Sequence, residues 1–356
     1  MNNEQSNGHR CTSIIFKRAN TITPEPIGWI WHGWIAKGKV HILAGSPGTG
    51  KTTIAMALAA TISTGGRWPD GTQATKGNVL IWSGEDDPKD TLVPRLMAAG
   101  ADMSRITFVD GVRDGNERRA FDPSKDVSTL KDAINKVADG VQLLIVDPIV
   151  TAVSGDSHKN AEVRRGLQPL ADLAAQTGCA LLGISHLSKG TQGREPTERI
   201  VGSLAFGAVA RVVMMAAKQS AEEAQGGGDR VLCRSKSNIG ADHGGFAYSL
   251  KQSELERYPG IFASHVQWGD AIEGSAREIL ATAEELHDKG GGGALCKAAR
   301  FLADYLKDGT QQQSKIKEAA EGAGHSWRTI QRAKKNLGVA SEKMSFGKGW
   351  LWRLPD

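Results

Sequence analysis

The sequence contains no uninterrupted run of eighteen or more apolar residues, so we expect no membrane-spanning helix. Its first residues, MNNEQSNGHR, are polar and lack the apolar core of a secretion signal. Only four cysteines occur, and none of them forms a CxxC pair: Cys11, Cys179, Cys233 and Cys296. This spacing predicts neither a disulfide framework nor a zinc site, and it fits a reducing, cytoplasmic location.

Most of the chain carries no excess of positive charge. Residues 294–354 contain twelve Lys/Arg against five Asp/Glu, whereas the other residues contain 32 against 34. The formal net charge of +5 over 356 residues therefore arises in the C-terminal segment. Such a basic segment is where a nucleic-acid contact is sought first.

Short apolar runs alternate with helical patterns from residue 25 to residue 268. Several runs, such as QLLIVDP (142–148), are continuously apolar, which indicates strands buried on both faces of a mostly parallel sheet. We therefore expect an α/β domain over 25–268. Residues 1–24 are predicted to be a flexible segment, and 269–293 a helix (271–287) followed by a Gly-rich linker.

The stretch GSPGTGKTT fits the pattern GxxxxGK[ST] and stands between an apolar strand and a helical pattern. Its glycines let successive backbone N–H groups turn toward phosphate oxygens, and the helix N-terminus adds its dipole. Lys51 is expected to reach the β- and γ-phosphates of ATP, and Thr52 to offer its hydroxyl to Mg²⁺. The residues predicted to bind the nucleotide are Gly45, Ser46, Pro47, Gly48, Thr49, Gly50, Lys51, Thr52 and Thr53.

Carboxylates follow two of the predicted strands. Asp147 ends QLLIVD and is predicted to be the second Mg²⁺ anchor, because ligands gather at the carboxyl ends of strands. The alternative is an Asp that caps the turn before Pro148. Glu85, in NVLIWSGEDDP, is predicted to polarise the attacking water. Asp86 and Asp87 are rivals for that role, and Asp87 is also a candidate cap for the next helix.

A histidine and a basic loop follow a later apolar run, CALLGISHLSKG. His186 is predicted to touch the γ-phosphate and to report its loss to the loop, with a purely structural histidine as the alternative. The loop carries Lys189, Arg194 and Arg199. Loops of this length often have a function, so DNA contact is predicted here, against the alternative of a solvated loop.

Together, GSPGTGKTT, SGEDDP, LLIVDP, ISHLSKG, GSLAFGAVARVVM and CRSKSNIG resemble the RecA-type P-loop ATPases. The resemblance covers roughly residues 25–250 and points to the plasmid and phage replication helicases of the RepA kind. It implies a homo-oligomeric ring, usually a hexamer, with ATP at each subunit junction. It also implies that Arg211 is an arginine finger acting on the neighbour's ATP. Lys236 and Asn238 match a second trans-acting element, with Arg234 assisting.

The residues themselves leave other interpretations of this element open. Arg211 is also compatible with a strand-end arginine paired to a carboxylate. The core members of the family lack a C-terminal appendage like the one present here, so the resemblance predicts the ATPase more firmly than its task.

The C-terminal segment, 294–356, is predicted to form a separate domain of three helices and a hairpin, which is typical of a winged helix-turn-helix. Ser326 is the predicted N-cap of the third helix. One face of that helix is basic and is predicted to contact DNA: Arg328, Gln331, Arg332 and Lys335. Lys343 and Lys348 are placed on the wing. A solvated face or a protein contact is the alternative.

The tryptophans of this domain are predicted to lie in its core rather than to stack on bases. They are Trp327, Trp350 and Trp352.

These patterns favour a Mg²⁺-dependent ATPase that assembles into a ring and moves on DNA as a replicative helicase. The alternative is an ATP-gated loader, recombination accessory or regulator that binds DNA without unwinding it. A small-molecule kinase is disfavoured, because no acceptor pocket or lid is recognisable and the basic C-terminal domain would have no role.

Overall fold

A computed structural model describes residues 14–157, 159–188, 195–200, 204–219, 227–281, 294–307, 309–343 and 350–354. The predicted DNA contacts Lys189, Arg194 and Lys348 and the Gly-rich stretch 288–293 lie outside the described residues. Residues 14–28 are exposed and contain one short 3-10 turn, Ala19–Thr21.

The strands before the C-terminal segment follow the predicted apolar runs and add several others. In chain order they are β1 (Trp29–Trp31), β2 (Ile35–Ala36), β3 (Val40–Gly45), β4 (Asn78–Ser83), β5 (Ile106–Phe108), β6 (Val112–Asp114), β7 (Glu117–Arg119), β8 (Val141–Asp147), β9 (Ala180–His186), β10 (Val212–Lys218), β11 (Arg230–Ser237), β12 (His243–Leu255) and β13 (Tyr258–Ser275).

Nine of these strands form one sheet in the order β13-β12-β11-β10-β3-β9-β8-β4-β5. The six from β10 to β5 are parallel, and β11, β12 and β13 extend the sheet as an antiparallel meander. The expectation of an α/β fold with a mostly parallel sheet is therefore confirmed. The parallel block matters for function, since the carboxyl ends of its strands meet at one edge.

Helices connect the strands and cover both faces of the sheet. In chain order they are α1 (Lys51–Thr64), α2 (Val93–Ala98), α3 (Val127–Ile134), α4 (Asn160–Thr177), α5 (Leu204–Val209), α6 (276–281), α7 (Ala294–Leu306), α8 (Gln313–Gly322) and α9 (Trp327–Asn336). A single turn of π-helix, Pro88–Leu92, precedes α2.

Alternate residues of the central strands enter two separate cores. In β8, Leu144 and Val146 join the core on the α4 side, whereas Leu143 and Ile145 join the core on the α1 side. Burial on both faces explains why these strands are apolar without alternation.

One predicted helix begins later than expected. Residues 271–275 continue β13, and α6 starts only at 276, so the prediction of a helix over 271–287 is wrong at its start. The reason is a long-range pairing. Strand β13 runs antiparallel to β12 from Ser275 back to Tyr258, and a local helical pattern cannot report that pairing.

The C-terminal segment has its own apolar core. Helices α7, α8 and α9 surround it together with a three-stranded antiparallel sheet, ordered β14 (Gln311–Gln312), β16 (Trp350–Arg353), β15 (Ala340–Lys343). Trp352 is buried and stacks on the partly buried Trp327 at 5.4 Å. Trp350, expected in the core with them, is 46% exposed. That prediction is wrong for Trp350, because it occupies the first position of β16, before the strand reaches the core at Trp352.

Candidate active site

The stretch 45–53 contains a tight loop, residues 46–50, between β3 and α1. Strand β3 ends at Gly45, and α1 begins at Lys51, directly after Gly50 in the left-handed conformation (φ 86°). The backbone angle favours glycine here, and a Cβ atom on Gly50 would lie 2.7 Å from Cδ1 of Leu250, so the leucine side chain would have to move. The loop therefore closes around the N-terminus of a fourteen-residue helix, which is a geometry that receives phosphate.

Two side-chain oxygens that can bind a cation meet at the mouth of this loop. The hydroxyl of Thr52 donates a 2.9 Å hydrogen bond to Oδ2 of Asp147, which ends the buried strand β8. Burial raises the pKa of Asp147 to about 6, and the nearby charge of Glu85 adds to this effect. A buried carboxylate in this position is stabilised by a cation.

Hydroxyl and carboxylate oxygens are suitable ligands for Mg²⁺. Within the described residues, no group of three or more His, Cys, Asp or Glu side chains is close enough together to hold a metal alone. Thr52 and Asp147 thus fit an ion that takes its other ligands from phosphate and water.

The three acidic residues after β4 have different surroundings. Asp86 accepts a 2.8 Å hydrogen bond from Arg95, and Asp87 accepts one of 2.7 Å from the amide of Lys89, which caps the following turn. Glu85 is half-exposed, and its Oε1 lies 3.8 Å from Nε2 of His186. Among these three rivals, Glu85 is the carboxylate directed at the loop.

Lys51, His186 and Glu85 form a line across the carboxyl edge of the sheet. Nζ of Lys51 lies 3.3 Å from Nδ1 of His186, and an ammonium group can only donate. Nδ1 must therefore accept, and the ring proton resides on Nε2, which faces Glu85. Burial and then the charge of Lys51 lower the pKa of His186, so the ring is a neutral hydrogen-bond donor near pH 7.

Arg211 lies at the opposite edge of the sheet. It precedes β10, and its amide donates a 2.8 Å hydrogen bond to the carbonyl of Val40, at the amino end of β3. The five residue steps from Val40 to Gly45 span about 16 Å, so Arg211 is remote from the phosphate loop of its own chain. Its side chain is exposed, and no carboxylate of the described residues lies within ion-pair distance.

Lys236 lies beside Arg211 at the end of β11. Its Nζ donates hydrogen bonds to the carbonyls of Gly207 (2.6 Å) and Ala210 (3.3 Å), so in this conformation it holds the end of α5. Burial and then the positive charge of Arg211 lower the pKa of Lys236. Asn238 is exposed, and its amide donates to the carbonyl of Arg211.

Arg234, expected to assist these residues, is used inside its own domain. Its guanidinium donates to the carbonyl of His243 and lies 4.7 Å from the ring of Trp34. In a single copy, this half-buried guanidinium stacked on tryptophan is a packing element, and its expected assistance to a neighbouring copy stays a prediction.

The structure describes one of the three basic residues predicted in the loop after β9. Arg199 is only 5% exposed, so the described part of the loop does not present it to a ligand. Lys189 and Arg194 lie outside the described residues.

The predicted N-cap of α9 and three of the four residues on its predicted basic face can be located. Ser326 caps the helix by accepting a 3.2 Å hydrogen bond from the amide of Thr329, and Gln331, Arg332 and Lys335 are exposed. Lys334 turns the other way and lies 4.3 Å from the ring of Trp352. The side chains of Arg328 and Lys343 are outside the description.

Two features of the site were not found by sequence reasoning. Tyr248 on β12 donates a hydrogen bond to the phosphate loop, 199 residues away in the chain. A basic cavity at the amino edge of the sheet adds Lys39 and Arg164 to Arg211. Neither has a local pattern, because each depends on which strands become neighbours in the sheet.

A parallel sheet carrying a phosphate loop at the carboxyl end of β3, with a carboxylate at the end of β8, defines a P-loop ATPase-type domain. A family model described as an AAA domain matches residues 9–192. That match covers just over half of the chain, and the protein belongs to this AAA-domain family. Membership makes it a nucleotide-binding protein of the ATPase type, as the resemblance of its motifs predicts. No helix of the described residues combines the length and the apolarity that crossing a bilayer requires.

Proposed function

We propose that the protein is a Mg²⁺-dependent, ATP-hydrolysing motor that assembles into a ring, with six copies expected, and acts on DNA. Within this class, we infer a replicative helicase of a plasmid, phage or integrated element. The observation that carries the proposal is the division of the site. The phosphate loop lies at one edge of the sheet, and the exposed Arg211 lies at the other, about 16 Å away along β3.

Within one copy, residues 45–53 bind the phosphates of ATP, and Lys51 moves from His186 to the β- and γ-phosphates. Thr52 and Asp147 hold Mg²⁺, which when bound neutralises charge on the transferred phosphate. Glu85 orients the attacking water, since it is the carboxylate left free of capping and of Arg95.

His186 links the phosphate to the loop that follows it. With ATP bound, Lys51 is withdrawn from Nδ1 of His186, and after phosphate release the 3.3 Å contact can re-form. The imidazole of His186 thus experiences two electrostatic environments during one cycle of ATP hydrolysis. Because His186 is the last residue of β9, this change reaches the segment that begins at Leu187.

The arginine at the far edge completes the site of the next copy. A head-to-tail contact, with the carboxyl edge of one sheet against the amino edge of another, is heterologous and closes into a ring when the rotation allows. Arg211 would then stabilise the transition-state charge on the neighbour's γ-phosphate. An arginine in this role accelerates phosphoryl transfer by about 10³- to 10⁵-fold in related enzymes.

The C-terminal segment supports DNA as the substrate. Its excess of basic residues and the exposed, capped face of α9 suit the phosphate backbone. The same face favours the second candidate, an ATP-gated loader, recombination accessory or regulator that binds DNA without unwinding it. The two candidates differ in whether DNA increases the rate of ATP turnover.

The test measures the mass of the assembled protein and its rate of ATP turnover. Mass photometry of the full chain with ATP and single-stranded DNA should show a six-fold species, and DNA should raise the ATPase rate. Arg211→Gln should keep ATP binding and the assembled mass but lose DNA-stimulated turnover. A single copy with full turnover at saturating ATP refutes the ring. If the protein assembles but DNA does not change its rate of ATP turnover, the second candidate, a DNA-binding loader, accessory or regulator, is supported instead.

A further inference from the structure

A basic cavity of about 330 Å³ opens at the amino edge of the sheet. Its wall includes the start of β3, one face of α4 and the end of α5. Three cations line it, namely Lys39, Arg164 and Arg211. None of the three has an ion-pair partner within the part of the chain that the structure describes.

The single acidic residue in the wall does not neutralise these cations. Asp172 accepts a 2.8 Å hydrogen bond from Gln168, one turn earlier on α4. Arg164 is one further turn back, so Arg164 and Asp172 are separated by about 12 Å along the helix axis. The cavity therefore keeps an excess of positive charge, which is the property of a site for phosphate groups.

The nucleotide of the same chain cannot supply these phosphates. The cavity lies at Lys39 and Val40, before β3, whereas the phosphate loop begins after Gly45, about 16 Å away across the core. The ligand must come from another molecule. In the proposed ring, a head-to-tail neighbour would present its own phosphate loop to this edge, and the charges of the two edges would be complementary once nucleotide is bound.

We propose that Lys39 and Arg164, together with Arg211, bind the phosphate groups of the ATP held by the neighbouring copy. This inference rests on the proposed ring and adds two residues to it. Arg164 projects from α4 into the cavity that Arg211 enters from the start of β10, so the two guanidinium groups approach a bound phosphate from different elements. Lys39 contributes the third charge from the start of β3.

The first experiment is ATP turnover by full-length Arg164→Gln, with Arg165→Gln as the matched control. Both arginines are exposed on α4, but Arg165 does not line the cavity. Losing one charged hydrogen bond to phosphate should lower kcat/KM roughly 10- to 100-fold, whereas Arg165→Gln should retain the wild-type value. Arg164→Lys should recover part of the loss. Equal activity of the Arg164→Gln and Arg165→Gln variants overturns the proposal.

The second experiment asks whether Arg164 acts on a neighbour. Arg164→Gln is co-expressed with Lys51→Ala, each with its own tag, and mixed assemblies are purified through both tags. Each variant alone is impaired, but about a quarter of the junctions in a mixture pair an intact loop with intact cations. Turnover should therefore rise to about a quarter of the wild-type rate by the same counting of junctions. No recovery means that Arg164 acts within its own chain, and the proposal is wrong.

The pair Arg211→Gln with Lys51→Ala separates this inference from the proposed function. If ATP turnover recovers in the Arg211→Gln mixture but not in the Arg164→Gln mixture, the ring is supported and Arg164 has no role in the neighbour's site. Failure of both pairs refutes the shared site itself. A third result, in which Arg164→Gln weakens DNA binding but leaves DNA-free turnover unchanged, would assign a DNA phosphate to the cavity and overturn the proposal.

Discussion

The hydroxyl of Tyr248 donates a 2.6 Å hydrogen bond to the carbonyl of Thr49, inside the phosphate-binding loop. Tyr248 is fully buried, its ring lies 5.9 Å from that of Trp268, and burial raises the pKa of the phenol. It is therefore a permanent donor. Leu250, two residues further along β12, packs against Gly50. The antiparallel meander thus contacts the loop through two residues of β12.

Tyr248→Phe should weaken ATP binding with little effect on the fold. The substitution removes only the hydroxyl, so the ring still fills its site, but the Thr49 carbonyl loses a buried donor. A net hydrogen bond contributes about 0.5–1.5 kcal/mol to stability, and the part of it that holds the loop in this conformation sets the effect on binding, so the Kd for ATP should rise by no more than roughly 10-fold. Equilibrium titration with a fluorescent ATP analogue, together with the thermal unfolding midpoint, measures both effects.

The matched control for this prediction is Tyr305→Phe, which deletes a hydroxyl from α7 in the C-terminal segment. It should leave the Kd for ATP at its wild-type value. If Tyr248→Phe lowers the unfolding midpoint but leaves the Kd unchanged, Tyr248 stabilises the core without positioning the loop.

Glu85→Gln should preserve ATP binding and abolish turnover. The amide has nearly the same shape as the carboxylate but cannot accept a proton from the attacking water, and such losses typically reduce kcat by about 10²- to 10⁴-fold. Asp87→Asn is the control, since an asparagine can still accept the hydrogen bond from the amide of Lys89. Single-turnover measurements distinguish slow chemistry from weak binding. Wild-type kcat in Glu85→Gln contradicts the assigned role.

The phosphate loop and the position of Asp147 are predictable because each depends on a pattern of consecutive residues. A strand, a Gly-rich turn and a helix follow one another at 40–64, and an apolar run ends in an acid at 141–147. Local chemistry is enough to define both. The contact between Thr52 and Asp147 then follows from the parallel order of the strands.

The support from β12 and the basic cavity are not predictable in this way. Tyr248 reaches Thr49 because three antiparallel strands extend the sheet beside β10, and no short pattern encodes that neighbour relation. Lys39, Arg164 and Arg211 come from three separate elements. The failed helix over 271–275 has the same cause, since pairing with β12 overrides the local preference there.

His41 should make a contribution to stability that falls as the pH drops from 6.5 to 4, and Asp147, whose pKa is raised to about 6, should act in the opposite direction below pH 6. The His41 ring is fully buried in β3, where Nε2 accepts a 2.9 Å hydrogen bond from the amide of Ala36 and Nδ1 lies 3.2 Å from the carbonyl of Leu181. Burial lowers its pKa from 6.5 to about 4. The unfolded chain therefore binds a proton between pH 6.5 and pH 4 that the folded chain does not.

The contribution of His41 is complete above pH 6.5 and declines by about 1.4 kcal/mol for each pH unit down to pH 4. Urea unfolding at several pH values measures the slope. His41→Gln can still accept from Ala36 and donate to Leu181, and it should flatten the slope by about one proton. His32→Gln, at an exposed position, should leave the slope unchanged. An identical slope for His41→Gln and wild type shows that another group causes the acid sensitivity.

Removing charge from the exposed basic face of α9 should reduce the salt dependence of DNA binding. Arg332→Gln combined with Lys335→Gln removes two cations three residues apart on one face of the helix. For every phosphate that the variant no longer neutralises, the slope of log K against log salt should become shallower by about 0.9. Lys125→Gln with Lys136→Gln removes the same charge from the ATPase domain and should leave the slope near the wild-type value. Because the two double variants have equal net charge, a general electrostatic effect would move both slopes together. Only a difference between them assigns the DNA contact to α9, and an unchanged slope in the α9 variant excludes it.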